Sequence, residues 1–353
     1  MPDKPIIPEA LSCPLPIMDH DTIQLAHGAG GKLSAQLIEK LFLPRFGNQT
    51  LDKLEDQAVL ELPPGRLAFT TDSFVVEPIF FPGGDIGDLA VNGTVNDVAM
   101  SGAQPLYISV GFILEEGLPM ETLHRILLSM EATARAANIV VVTGDTKVVN
   151  RGKCDQIFIN TSGLGVVPEG VNISAANLQP GDKVIISGTV ADHGMAVMTT
   201  REGLSFQSRV TSDTAPLNGL VKAMLAVTPE IHALRDPTRG GLATSLNEFA
   251  RSSQVGISLE EGAVPVRPEV NGACEILGID PLYVANEGKL VAVVPGQQSA
   301  AVLKAMRQHE YGRDAAIIGE VTSINPGLVT MRTGLGASRI VDMAVGDQLP
   351  RIC

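Results

Sequence analysis

The sequence predicts an α/β or α+β chain of two domains, and three observations carry that prediction. Segments rich in β-branched residues and bounded by turn residues alternate with segments whose apolar residues recur at helical spacing. A break at Pro168-Glu169-Gly170 divides that alternation in two. The length, 353 residues, is about twice that of an ordinary domain.

Taken in order, residues 1–25 are Pro-rich and aperiodic, which predicts a mobile or loosely docked arm. The Gly-rich segment His27 to Lys32 follows, and residues 33–42 then space their apolar side chains as a helix does. Strands are predicted at 66–76, 104–114, 139–149 and 156–167. Between them, residues 87–102 are so rich in small side chains that their helix must pack closely. Residues 120–138, after Pro119, have a clear apolar stripe. These elements make a first domain over 26–169. A second, over 170–345, holds a strand at 183–189, a helix at 193–201 and helices around 217–234 and 242–252. It continues with a strand at 289–294, a helix at 298–309 and strands at 315–321 and 328–332. Residues 346–353 follow neither period and are expected to form a free, mobile tail.

Composition excludes several functions. With 26 basic against 39 acidic side chains the formal charge is −13, the wrong sign for a nucleic-acid binder. Ten Phe, three Tyr and no Trp leave few platforms for stacking bases. The longest apolar runs, such as 139–142, fall far short of the roughly 18 residues a membrane helix needs. The first ten residues do not read as a secretory signal, so a cytoplasmic location is expected. Cys13, Cys154, Cys274 and Cys353 are widely spaced with no C-x-x-C, which predicts reduced thiols.

Three features carry chemistry. The glycine segment is not a Walker A loop, because Ala26 stands where its first Gly belongs and Leu33 follows Lys32. Its glycines either wrap a phosphate with backbone amides or form a plain turn. Single aspartates, Asp56, Asp72, Asp97 and Asp145, recur beside small residues. Each alone suits a cap or turn, whereas together they suit Mg²⁺ holding a nucleotide's phosphates. Finally, Cys353 places a thiol at the end of a tail, and it cannot be a prenylation box because no residues follow it. Such a thiol is either a travelling nucleophile or an inert surface cysteine.

These stretches together resemble the HypE family of hydrogenase maturation factors, carbamoyl dehydratases within the AIR-synthase-like (PurM-like) ATP-binding superfamily. The motifs are His27-Gly28-Ala29-Gly30-Gly31-Lys32, Asn96-Asp97-Val98-Ala99-Met100-Ser101-Gly102, Gly144-Asp145-Thr146-Lys147, Asp192-His193-Gly194, Asp236-Pro237-Thr238-Arg239-Gly240-Gly241, Asn286-Glu287-Gly288-Lys289 and the ending Pro350-Arg351-Ile352-Cys353. The ending is the most specific of them.

The resemblance implies two AIR-synthase-like domains, the first pairing with its copy to build a dimeric strand core. It implies ATP and Mg²⁺. Gly28, Gly30, Gly31, Lys32, Asp72, Asn96, Gly144 and Thr146 would contact nucleotide, and Asp56, Asp97 and Asp145 would contact metal. A carbamoyltransferase, HypF, would load Cys353; ATP-dependent dehydration would convert the thiocarbamate to thiocyanate; and a HypC-HypD iron scaffold would accept cyanide. Glu287 and Lys147 are then candidates for proton transfer, with turn closure and pairing to Asp145 as their plain alternatives. His193 and Arg239 would orient the tail or phosphates, and His193 equally suits a helix cap. Two other functions stand beside this one: ATP-dependent activation of a free small molecule, or a non-catalytic thiol carrier.

Overall fold

A computed structural model describes residues 16, 18–203, 210–343 and 351–353. Near the start, α1 (Lys32–Leu37) runs through a π-helical turn, Ile38–Phe42, into α2 (Leu43–Phe46). There follow β1 (Arg66–Phe74), the short hairpin β2 (Phe80–Phe81) and β3 (Gly84–Asp85), α3 (Ile86–Met100), β4 (Gln104–Glu115), α4 (Met120–Ala137), β5 (Val140–Val149) and β6 (Ile157–Val167). Four strands form one sheet in the order β1-β6-β4-β5, antiparallel except for β4 with β5.

The small residues of α3 decide how this domain packs. Of its 15 residues 13 are buried, because it lies under the sheet and against the second domain at once. A side chain at Gly87 would meet the backbone oxygen of Ile126 at 2.7 Å, and one at Gly93 the ring of Phe74 at 2.8 Å. Asp85 caps the helix, its carboxylate accepting the N–H groups of Gly87 and Asp88. The opposite face of the sheet is uncovered in the single chain. Phe69 is 73% exposed, Leu67 54%, Ile113 42% and Val140 40%.

The second domain comprises β7 (Lys183–Ile186), α5 (Asp192–Arg201), α6 (Asn218–Leu225), β8 (Ala233–Arg235), α7 (Gly241–Ser253), β9 (Gly256–Glu260), α8 (Pro268–Leu277), β10 (Val291–Val294), α9 (Ser299–Gln308), β11 (Ala316–Thr322), β12 (Val329–Arg332) and β13 (Ser338–Ile340). Its seven-stranded sheet has the order β13-β12-β9-β11-β7-β10-β8. Leu242, Leu246 and Phe249 of α7 cover one face, and residues of α6 and α9 such as Leu220, Met224, Val302 and Met306 cover the other. Hence β10 reads as an unbroken apolar run, buried throughout.

Some sequence expectations need correction. The helix expected across 217–234 ends at Leu225, and a three-residue strand, β8, occupies its last part. β9, α8 and β13 were not foreseen, being short or interrupted, as α8 is by Gly272. The predicted arm is pinned at its end: Ile23 is fully buried and exchanges backbone hydrogen bonds with Leu118 and Gly117. The free tail expected over 346–353 is seated at its last three residues, while 346–350 lie outside the described ones. No described helix is long and apolar enough to cross a membrane.

Candidate functional site

A cavity of 590 Å³ opens between the glycine segment, α1 and the middle of β5. Gly28 lies so close on β5 that a Cβ there would meet the backbone nitrogen of Val148 at 2.5 Å. Gly30 turns with φ +77, and Ser34 fastens the loop by accepting its N–H and donating to the Ala26 carbonyl. His27 accepts the N–H of Gln24 on Nδ1, and burial above all lowers its pKa. The facing wall is Gly144, Asp145, Thr146 and Lys147. Lys147 and Asp145 are both exposed and pair at 2.7 Å, and the hydrogen bond from Lys147 chiefly holds Asp145 below the usual carboxylate range.

The other carboxylates gather elsewhere. Asp72 on β1, Asp97 on α3, Asp236 after β8 and Glu287 before β10 interact through space, each with its pKa raised first by burial. Asp236 is pushed up to about 7, with Asp97 as the next cause. Glu287 lies well above the usual range, and after burial the causes are Asp236, Asp213, Asp72 and Asp97. Thr70 donates to Asp97 at 2.9 Å, and Arg239 partly offsets the effect on Asp72. One oxygen of Glu287 is buried with no partner. Lys289 stands 3.4 Å from Asp213.

A third feature lies just past β1, where the chain seats the closing tripeptide through backbone hydrogen bonds. Val75 N–H donates to the Cys353 backbone oxygen at 3.1 Å and Glu77 N–H to the Arg351 carbonyl at 3.2 Å. Arg351 reaches Glu77 and Asp155, at 2.7 and 2.8 Å. Arg201 donates to the Arg351 carbonyl at 2.9 Å, and Ile352 is 2% exposed. His193, fully buried, places Nε2 at 3.0 Å from the Ile352 carbonyl and Nδ1 at 2.8 Å from Ser212 Oγ. Cys353 itself is half-exposed.

The expected residues therefore divide. Gly28, Gly30, Gly144, Asp145, Thr146 and Lys147 line one cavity, whereas Gly31 and Lys32 stand outside its lining. Asp56 is exposed on a loop whose neighbours Glu55 and Gln57 line the cavity instead. Asn96 is fully buried, and both of its amide N–H groups are used within the protein. Its amide donates to the carbonyls of Ala215 and Glu287 and accepts from Leu217, tying α3 to the second domain. Asp72 and Gly144 sit in one row of the sheet through Thr161 and Val110, three strand spacings or roughly 14 Å apart. Asp97 and Asp145 are thus not gathered within one copy, and no three described side chains form a ready metal cage. Sequence reasoning did not single out Asp236, Asp213 or Arg201. Asp236 carried a signal, standing three residues before Arg239 in a motif already in view.

Comparison with known proteins adds the following. Residues 54–167 match the AIR synthase related protein N-terminal domain, and residues 179–327 the corresponding C-terminal domain. The carbamoyl dehydratase HypE of Azotobacter vinelandii is 55% identical over 332 residues, covering 94% of this chain and 97% of that protein. A crystal structure of hydrogenase maturation protein HypE in complex with ATP superposes with a TM-score of 0.90 at 50% identity, covering 93% of this chain and 99% of that one. A HypE chain from a HypE-HypF complex gives 0.77 at 52% identity, covering 87% and 99%.

Proposed function

The chain belongs to the HypE family of carbamoyl dehydratases, and on that premise we propose that it uses ATP to dehydrate a carbamoyl group carried on Cys353. The thiocyanate so formed supplies cyanide for nickel-iron hydrogenase maturation. One observation carries the assignment of Cys353. Its residue is docked on Val75, three residues beyond Asp72, or roughly 10 Å of extended chain. A group on that sulfur needs only a short swing to reach the carboxylates.

The likeness to an ATP-bound HypE supports nucleotide in the cavity between Gly28, Gly30, Gly144 and Thr146. Mg²⁺ fits this chain on its own features: burial and neighbouring carboxylates raise the pKa of Asp97 and Asp236, and a divalent cation relieves that crowding of negative charge. The lack of a closed cage among the described residues also suits an ion that takes one or two carboxylates and completes its shell with water and phosphate. Asp97 and Asp145 would hold it, and when bound it offsets negative charge on the phosphoryl group in transfer.

Asp97 and Asp145 come together when two copies join through the uncovered sheet faces carrying Leu67, Phe69, Ile113 and Val140. A two-fold axis along the strands sets β1 of one copy beside β5 of the other, and a homodimer is the active form.

In the reaction the carbamoyl oxygen attacks the γ-phosphorus, the bond to ADP breaks and one N–H proton leaves, giving an imidate phosphate. Removal of the second N–H proton then expels phosphate and leaves C≡N on sulfur. Glu287 takes a proton here, since burial and neighbouring carboxylates make it a stronger base than an ordinary glutamate. Lys147, on the cavity wall, steadies the phosphoryl group, Arg239 faces the phosphates beside Asp72, and His193 positions the tail.

The HypE-HypF complex supports HypF as carbamoyl donor. A HypC-HypD scaffold accepts the cyanide, all in the cytoplasm. Deleting Cys353 tests the assignment: ATP hydrolysis that depends on the carbamoyl donor should vanish. Hydrolysis that persists unchanged would mean that the substrate is a free small molecule.

A further inference from the structure

Glu287 is held by its backbone rather than by its side chain. Its N–H donates to Oδ1 of Asp213 at 3.1 Å, and its carbonyl accepts from Asn96 at 3.0 Å. The next residue, Gly288, lies so tightly on the same loop that an added Cβ would meet the Asp213 carbonyl oxygen at 1.6 Å. One residue earlier in that loop, Ser212 Oγ stands 2.8 Å from Nδ1 of His193, whose Nε2 holds the Ile352 carbonyl. The loop is fixed in turn, since Ser212 N–H donates to the Pro82 carbonyl and Asn92 donates to Thr214.

We infer that the Ser212-Asp213 segment is a positioning device that sets Glu287 against the docked tail, so that tail seat and base are placed by one piece of backbone. Asp213 acts on both ends of the chemistry. On the Glu287 side it acts as an acceptor, and on the tail side through Ser212 and His193. His193 must then present Nε2–H to the tail and accept from Ser212 on Nδ1, the neutral form that its burial favours.

The inference rests on the reading of Glu287 as base, and the test separates the two. Alkylation of Cys353 in the full-length protein measures tail docking without chemistry, and single-turnover conversion of the carbamoylated protein with Mg·ATP measures placement of the base. Asp213→Ala should speed alkylation roughly three- to tenfold, the loss of about one hydrogen bond, and slow conversion at least as much. Asp213→Asn keeps the acceptor while removing the charge beside Lys289, and it should restore both values. A loop that merely supports the fold would lower the folded fraction without that rescue. Should Asp213→Ala not fold, Ser212→Ala removes a single oxygen and should change both readouts in the same directions. Parental alkylation rates in both alanine variants, or failure of Asn to restore them, overturn the inference. Normal conversion by Glu287→Gln would instead remove Glu287 as base and leave the alkylation result to decide the positioning role.

Discussion

Nε2 of His193 lies 3.0 Å from the carbonyl of Ile352, inside a pocket that excludes water from the ring. Burial lowers the pKa of His193 from 6.5, outweighing the opposing effects of Asp213 and the Ile352 carbonyl. When the tail leaves, the ring regains solvent and its affinity for a proton rises. The contact is therefore fully present above pH 6.5 and is lost as pH falls from there through the lowered value. Cys353 alkylation, corrected for thiolate fraction, should accelerate on acidification below 6.5, and His193→Gln should abolish that acceleration.

Asp236 contributes in the opposite direction. A carboxyl raised from 3.8 to about 7 favours the fold when protonated, and the advantage disappears as pH rises between those values. Asp236→Asn should raise the melting temperature at pH 8 by an amount worth on the order of 2–4 kcal/mol, with no gain below pH 4. Mg²⁺ should stabilise the parent more than the variant. Equal melting curves at pH 8 would contradict the reading of this site as a strained carboxylate cluster.

Lys147 and Asp145 form an exposed pair, worth about 0–1 kcal/mol to stability. Lys147→Ala should therefore leave the melting temperature nearly unchanged while slowing thiocyanate formation by roughly 10²-fold or more. Unchanged turnover would return Lys147 to a plain surface role.

The sheet face bearing Phe69 and Leu67 should separate copies when charged. Phe69→Asp should shift the protein from dimer to monomer in sedimentation velocity, since burying one such ring contributes about 1.5–3 kcal/mol. The monomer should keep its fold and lose conversion, because β5 and β1 then no longer share a site.

Much of this was legible in the sequence. Small residues in α3 predicted a closely packed helix, and residues 144–147, singled out as site candidates, line a cavity. What the sequence concealed follows from the same physics. Strands as short as β8 lack a period to detect, and α8 hides a helix behind Gly272. The resemblance implies Asn96 as a nucleotide ligand, but only tertiary contacts reveal that its amide ties α3 to the second domain. The seat of Arg351 to Cys353 could not be read from an aperiodic tail, since its partners lie some 150 to 280 positions earlier in the chain.

The most direct measurement is mass spectrometry of the peptide that ends in Cys353, taken after carbamoyl transfer and again after Mg·ATP is added. Loss of one water from that peptide, matched one for one by ADP and phosphate, is the expected result. A carbamoyl group that survives with its oxygen while ATP is consumed would contradict the account at its centre.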